Sequence, residues 1–386
     1  MSRALKLAAP LLGFAASAIL TSALSTYALY LEYFHSRLGA PMPSLALWGS
    51  VLYFAGMPAG KVLGRALRFY RRLPSAALGM SALIAAALAL MPFASSLAEL
   101  MALRFLQGTV TFLMEIFSNA YSYLYEDFGT RTLASAVSIS GIPGGVAMGT
   151  SAYVLALANP FLVYSALAAS ALAAAAAYSL TLSRLGPALA PLRIESRGTT
   201  FRMGRTWLMG GLWATIAGFN LVLAVALPPF VSSYAPSEVP LAMGAFGITA
   251  ALLTVISGAV AYAIRSRAAL SAVVSAGYAL GFAGFAYLWM ARPTGAWLVA
   301  AVALINAEAL AVPYIYSMPR HIYPEGLAAK GTWEFALIGS TFHVWATALV
   351  LGIGYRVGFG AAMAILMGPP LYGMLASLAM PRLFRP

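Results

Sequence analysis

Between Arg104 and Tyr125 the chain reads RFLQGTVTFLMEIFSNAYSYLY, an apolar stretch that carries an arginine, a glutamine and a glutamate. At about 100° per residue, Arg104, Gln107, Thr111, Glu115, Ser118 and Ser122 fall within one narrow arc of a helix. Ionisable groups inside a greasy rod are costly in lipid and face a protein interior or a water-filled cavity. The stripe therefore predicts a helix lining a polar pathway, with Gln107 and Thr111 touching whatever passes. Glu115, Tyr121 and Tyr123 have the spacing E-x5-Y-x-Y, and Glu308, Tyr314 and Tyr316 repeat it at an offset of half the 386 residues. Burial disfavours the charged form of a carboxyl group, and such a group binds and releases a proton as its cavity opens to one side and then the other. Glu115 and Glu308 are thus candidate proton carriers. Arg104 is about 16 Å from Glu115 along a helix axis, too far for a direct pair, and is expected to be its electrostatic tuner or an anion anchor.

Each residue has a plainer reading. Arg104 could snorkel to an interface, and either glutamate could be hydrogen-bonded to a neighbouring helix. The shared arc favours function for Glu115. Glu308 has no such stripe, because a uniform helix puts Trp297, Ala301, Leu304 and Ile315 on its face. His343, with Ser340 and Thr347 on adjacent turns, is either a cavity residue or a helix–helix hydrogen bonder, and Asn220 either contacts a solute or bridges helices. For Ser17, Thr21 and Ser25, bonding to their own backbone is the better reading. Tyr121, Tyr123 and Tyr125 read as an interfacial aromatic belt.

Composition sets the frame. Of the residues, 62% are hydrophobic and 9% charged, against roughly 25% charged in a soluble domain. Apolar runs of about 20 residues recur along the chain, the signature of a polytopic membrane protein. The net charge of +13 does not point to nucleic acid, because the basic residues sit in short loops between apolar runs rather than on one soluble face. There is no cysteine, and so no disulfide or thiol chemistry. The N-terminal apolar run continues to about residue 30, too long for a cleaved signal core, and reads as the first span.

Twelve spans can be drawn, at roughly 8–31, 43–66, 74–94, 97–124, 132–157, 160–183, 204–231, 240–263, 268–290, 294–317, 335–356 and 359–380. The expected fold is all-α, two six-helix bundles over residues 1–184 and 204–386, joined by a polar, basic cytoplasmic linker at 185–203. With both termini in the cytoplasm, all but four of the 23 Lys and Arg lie on the inner side, the exceptions being Arg37, Arg104, Arg292 and Arg356. Gly141, Gly145 and Gly149, four residues apart in the fifth span, predict close approach of a neighbouring helix, and Pro143 a kink.

With these features in place the sequence resembles the major facilitator superfamily over nearly its whole length. Arg104-Phe-Leu-Gln107-Gly108 matches the R-x-x-Q-G core of the family's fourth-helix motif. The resemblance implies that Arg104 faces the central cavity and takes part in proton coupling or substrate binding. The segment after the second span, Gly60-Lys61-Val-Leu-Gly64-Arg65-Ala-Leu-Arg68, is similar to the family's G-x-L-A-D-R-x-G-R-R loop. Gly64 stands where the motif has aspartate and Leu67 where it has its second glycine, so the family's charge-relay interlock is not expected, and Lys61 to Arg72 read as a topology signal. The glycines around Pro143 resemble the family's antiporter motif without the glycine before the proline, and packing is the reading kept for them.

The expected function is secondary transport of a small organic solute by alternating access, proton-coupled through Glu115, Glu308 and Arg104, with antiport slightly favoured over symport. Solute, protons and the lipid bilayer are the expected partners, and a monomer in the plasma membrane is the expected state. An organic-anion porter anchored on Arg104 is the alternative, and a non-transporting receptor or scaffold of transporter descent is the second. An enzyme or lipid scramblase would need a catalytic cluster near one interface. No such cluster, nucleotide-binding glycine loop or metal-ligand spacing is present in the sequence, so no cofactor or metal is expected.

Overall fold

A computed structural model describes the chain except for residues 1–2, 67–72, 121–124, 126, 156–158, 186–198, 216–218, 265, 325–326 and 384–386, and except for some side chains within helices, Thr111, Glu115 and Asn220 among them. The described residues form helices and no strand, and a helix satisfies every backbone group internally, as lipid requires. The first six spans are Arg3–Leu29, Met42–Ala66, Leu73–Leu90, Leu97–Ala120, the pair Phe128–Ile139 with Gly141–Leu155, and Pro160–Leu185. The last six are Gly204–Trp213 with Phe219–Ser232, Val239–Ala263, Arg267–Ala291, a tenth in three pieces from Gly295 to Ser317, Ala328–Arg356, and Phe359–Ile365 with Gly368–Ala379. Among the described residues seven helical stretches are long and apolar enough to cross a membrane, and the second span meets the short helix Leu31–Leu38 at a bend of 116°. Gly39 makes that bend, closing the short helix with φ 63 and its N–H on the His35 carbonyl, a left-handed cap that glycine adopts without strain. The fifth span begins at Asp127, whose side chain accepts from the Thr130 backbone N–H at 2.7 Å, a helix N-cap.

The pairings show two bundles of one design. The first span packs on the fifth and the second on the fourth, while the seventh packs on the eleventh and the eighth on the tenth. The third pairs with the sixth, as the ninth pairs with the twelfth. Across the seam the second span meets the eleventh and the fifth meets the eighth, contacts that interchange when six spans are added to each number. The architecture is thus two six-helix bundles related by a parallel repeat, the arrangement of transporters whose halves share one origin.

Glycine sets the closest approaches. Gly141 lies against the Phe14 carbonyl, Gly145 against the Ala18 carbonyl and Gly149 against the Ser25 hydroxyl, so the fifth span runs backbone to backbone along the first. A Cβ at Gly108 of the fourth span would strike the Tyr53 carbonyl of the second, and one at Gly56 would strike the Phe105 carbonyl. Thr21 donates to the Ser17 carbonyl at 2.7 Å and Ser25 to the Ser22 carbonyl at 3.2 Å, bonds within their own helix.

The tenth span is not a uniform helix. It is α-helical over Gly295–Ile305, a 3-10 helix over Asn306–Ala311, and α-helical again from Val312. Pro313 has no N–H for the Ala309 carbonyl, and the Asn306 amide is held by the Phe246 carbonyl at 2.9 Å and the Thr249 hydroxyl at 2.7 Å of the eighth span. The break changes the register on which the face assigned to Glu308 depended. Trp297 is an exposed large side chain, while Glu308 is fully buried.

Candidate functional site

The fourth span turns Arg104 into the first bundle, where it is one of the largest fully buried side chains. Its Nε donates to the Gly49 carbonyl at 3.1 Å, and its Nη1 donates to the Ala23 carbonyl at 3.0 Å and to Gln107 Oε1 at 2.7 Å. The guanidinium carbon lies 4.1 Å from the centroid of the Tyr27 ring and 4.6 Å from that of Tyr53, within cation–π range. Gly49 makes room for this packing, since a Cβ there would occupy the position of the Tyr27 hydroxyl. One guanidinium thus ties the first, second and fourth spans together through neutral acceptors and aromatic faces, and it does not snorkel. Its Nη2 has no hydrogen-bond partner among the described residues.

Gln107 accompanies Arg104 on the same face, as the stripe predicted. The side chains of Thr111, Glu115 and Asn220 lie outside the described residues, as do Tyr121 and Tyr123 entirely.

Glu308 is elsewhere. It sits in the 3-10 segment of the tenth span and packs against Gly281 of the ninth, where an added Cβ would lie 2.6 Å from its Cγ and Oε1. Neither carboxyl oxygen has a hydrogen-bond partner among the described residues. Charge there would be both buried and unpaired, which costs far more than a buried neutral acid. The surroundings are those of an acid inside the second bundle, between the tenth and ninth spans.

A third group of polar side chains lies in the seam between the bundles. Lys61, on the second span and fully buried, donates from Nζ to the Ala336 carbonyl at 2.6 Å and to the Ser340 hydroxyl, both on the eleventh. The same Nζ stands 4.2 Å from the centroid of Trp213, near the middle of the seventh span. His343 stacks on that indole, ring centroids 5.0 Å apart and planes 15° apart, and meets Phe54 of the second span edge to face at 5.8 Å. Both ring nitrogens of His343 and the hydroxyl of Thr347, one turn further along, are buried without a hydrogen-bond partner among the described residues. One turn beyond Lys61, the Arg65 guanidinium lies 4.6 Å over the ring of Trp333 on the eleventh span.

This corrects the reading of Lys61 and Arg65 as topology signals alone: both reach across the seam and hold the eleventh span. Trp213 was not singled out in the sequence, and Lys61 was read only as one of the loop charges. The one available signal was position, because Lys61 precedes the basic run by an apolar turn, Val62-Leu63-Gly64, and so lies inside the span. His343 had been marked, and the structure brings it to Lys61 through Trp213, while Arg104 and Glu308 occupy separate places in separate bundles.

The class of protein these features define is a multi-pass helical membrane protein of two repeated six-span bundles, with buried polar groups in the seam between them. No family model matches the sequence, and no curated protein is similar to it in sequence. Solved structures are similar in fold. The proton:xylose symporter XylE of the major facilitator superfamily, bound to 6-bromo-6-deoxy-D-glucose, superposes with a TM-score of 0.75 at 13% identity, covering 99% of this chain and 96% of that one. The human organic anion transporter MFSD10 (TETRAN) superposes with a TM-score of 0.63 at 17% identity, covering 97% of each chain. The chain has the major facilitator fold over essentially its whole length.

Proposed function

We propose that the chain is a secondary transporter that carries a small organic solute through the seam by alternating access, and that the solute is an anion. The observation that carries this reading is Lys61, a buried cationic side chain that crosses the seam to the eleventh span. A lipid-spanning protein keeps an ionisable group inside at considerable cost, and does so where solute or ion passes. His343 and Trp213 stand beside it, and the fold is one on which known transporters are built. One of these similar structures transports organic anions by its description.

Within this reading Lys61, rather than Arg104, anchors the anion. Arg104 already donates to two main-chain carbonyls and to Gln107, so its role is to pin the first bundle. Proton coupling is assigned to Glu308, an acid without hydrogen-bond partners among the described residues at the break in a span, and to Glu115 of the fourth-span stripe. Both termini are assigned to the cytoplasm on the distribution of Lys and Arg, and the plasma membrane is the membrane proposed.

The test is uptake into proteoliposomes under an imposed pH gradient, with carboxylate solutes and their amine counterparts run side by side. Carboxylates are expected to be carried by wild type and not by Lys61→Gln. Transport of amines in preference to carboxylates would overturn the anion assignment. Binding without flux of any solute would replace the transporter by a receptor.

A further inference from the structure

His343 and Thr347 are buried polar groups without hydrogen bonds among the described residues. Both are on the eleventh span, one turn apart, so they share a face. His343 touches Phe54 of the first bundle and Trp213 of the second, which places that face at the seam. Neither imidazole nitrogen nor the Thr347 hydroxyl finds a partner among the described residues. Buried polar atoms are nearly always hydrogen-bonded, and each exception calls for a cause. In a seam that must part to admit a solute, the cause is the solute.

We infer that His343 and Thr347 form a hydrogen-bonding subsite for the body of the solute, next to the Lys61 ammonium that takes its acidic end, so that the solute class is a small carboxylate bearing a hydroxyl or carbonyl group. This rests on the transporter reading above and gives its solute a chemistry. An imidazole offers one donor and one acceptor, and a threonine hydroxyl offers both. That set suits a hydroxyl or carbonyl and has no use for an alkyl chain. The Trp213 ring is shared by the ammonium and the imidazole, which keeps the two functions within one small molecule's length. In the closed seam the ammonium rests on a main-chain carbonyl and a serine hydroxyl. A carboxylate is the stronger acceptor, since charge-assisted hydrogen bonds are about twice as strong as neutral ones. Its arrival therefore draws Lys61 off the eleventh span and exposes the face that carries His343 and Thr347.

The test is thermal stabilisation of the purified full chain by matched solutes: lactate, propionate and propane-1,2-diol, then gluconate, hexanoate and sorbitol. The hydroxy acids are expected to bind wild type about tenfold more tightly than the plain acids, the difference one buried hydrogen bond makes, and the polyols not at all. Thr347→Val and His343→Phe should each shrink that ratio towards unity, Thr347→Ser should keep it, and Lys61→Gln should abolish binding of both acids. The serine variant separates loss of the hydroxyl from a general folding defect. Equal binding of hydroxy and plain acids to wild type, or a ratio that survives both substitutions, would overturn the subsite while leaving Lys61-dependent anion transport standing. Failure of every acid to stabilise wild type would overturn the solute class. Discrimination without flux in liposomes would sink the transporter reading and leave the subsite.

Discussion

Replacing Lys61 by glutamine should loosen the seam by an amount the geometry lets one estimate. Its Nζ bonds the Ala336 carbonyl at 2.6 Å and the Ser340 hydroxyl, and lies 4.2 Å from the Trp213 centroid. A hydrogen bond to a charged group contributes about 1.5–3 kcal/mol, and a desolvated cation–π contact about 2 kcal/mol. Water recovers part of both when the seam opens, so a net loss of about 2 kcal/mol is a fair expectation, or roughly a thirty-fold rise in the open-to-closed ratio. The chain has no cysteine, which makes the measurement clean. Ala336→Cys puts a single thiol at a buried position while keeping the main-chain carbonyl that Lys61 uses. Reaction of that thiol with a hydrophilic maleimide, in detergent, should be slow in the otherwise wild-type chain and faster by about that factor with Lys61→Gln. Arg65→Gln removes the Trp333 contact at 4.6 Å, worth about 0.5–1 kcal/mol, and should raise the rate about three-fold. A thiol at Ala168, buried in the core of the first bundle, must stay unreactive in the same variants, since its labelling would report unfolding. An unchanged or slower rate at Ala336→Cys with Lys61→Gln would show that the lysine does not hold the seam shut.

Four further outcomes follow from individual contacts. Gly108→Val should destabilise the detergent-solubilised protein by about 2 kcal/mol or more, because its Cβ would strike the Tyr53 carbonyl, whereas Gly79→Ala, with nothing within 4 Å, should leave the Tm unchanged or raise it. Arg104→Lys should lower the Tm of the solute-free protein, because an ammonium cannot serve Gly49, Ala23 and Gln107 together; a variant that kept its Tm and lost only solute binding would return Arg104 to the role of anion anchor. Glu308→Gln should keep stability within about 1 kcal/mol, as a neutral isostere does, and abolish pH-driven uptake while sparing solute exchange; full pH-driven uptake would remove Glu308 from the proton path. Asp127→Ala should cost about 1 kcal/mol, the usual worth of an N-cap. Hydrogen bonds from Thr130 hold the Asp127 carboxyl below its ordinary range, so the cap's contribution is present above about pH 4 and lost as the pH falls through the lowered value, which a Tm–pH series of the two proteins would show.

The spans were legible because lipid imposes a length and a composition, and each drawn segment finds its helix. The break in the tenth span was written at Pro313, but its consequence for Glu308 was not, since a helical wheel assumes one register from end to end. Arg104 and Gln107 were correctly seen as polar company on one face. What surrounds them could not be read, because the acceptors are the main-chain carbonyls of Ala23 and Gly49, which carry no side-chain signature. Lys61 was hidden for a related reason. Its partners are 275 and 279 positions away in sequence, and beside a basic run it looked like one more loop charge.

The two seam contacts are equivalent by the repeat, yet they are built from different materials. The fifth and eighth spans meet where Gly247 admits the backbone of Ala147 and Gly258 admits the methyl group of Ala136. Backbones that close gain their contact from dispersion and small residues, and exposing such a surface to water wins nothing back. The second and eleventh spans meet instead through Lys61, Ser340, His343 and Phe54, groups that water or a polar solute can satisfy. Parting the second–eleventh contact therefore costs less than parting the fifth–eighth contact. A repeated scaffold thus carries different chemistry at its two equivalent contacts.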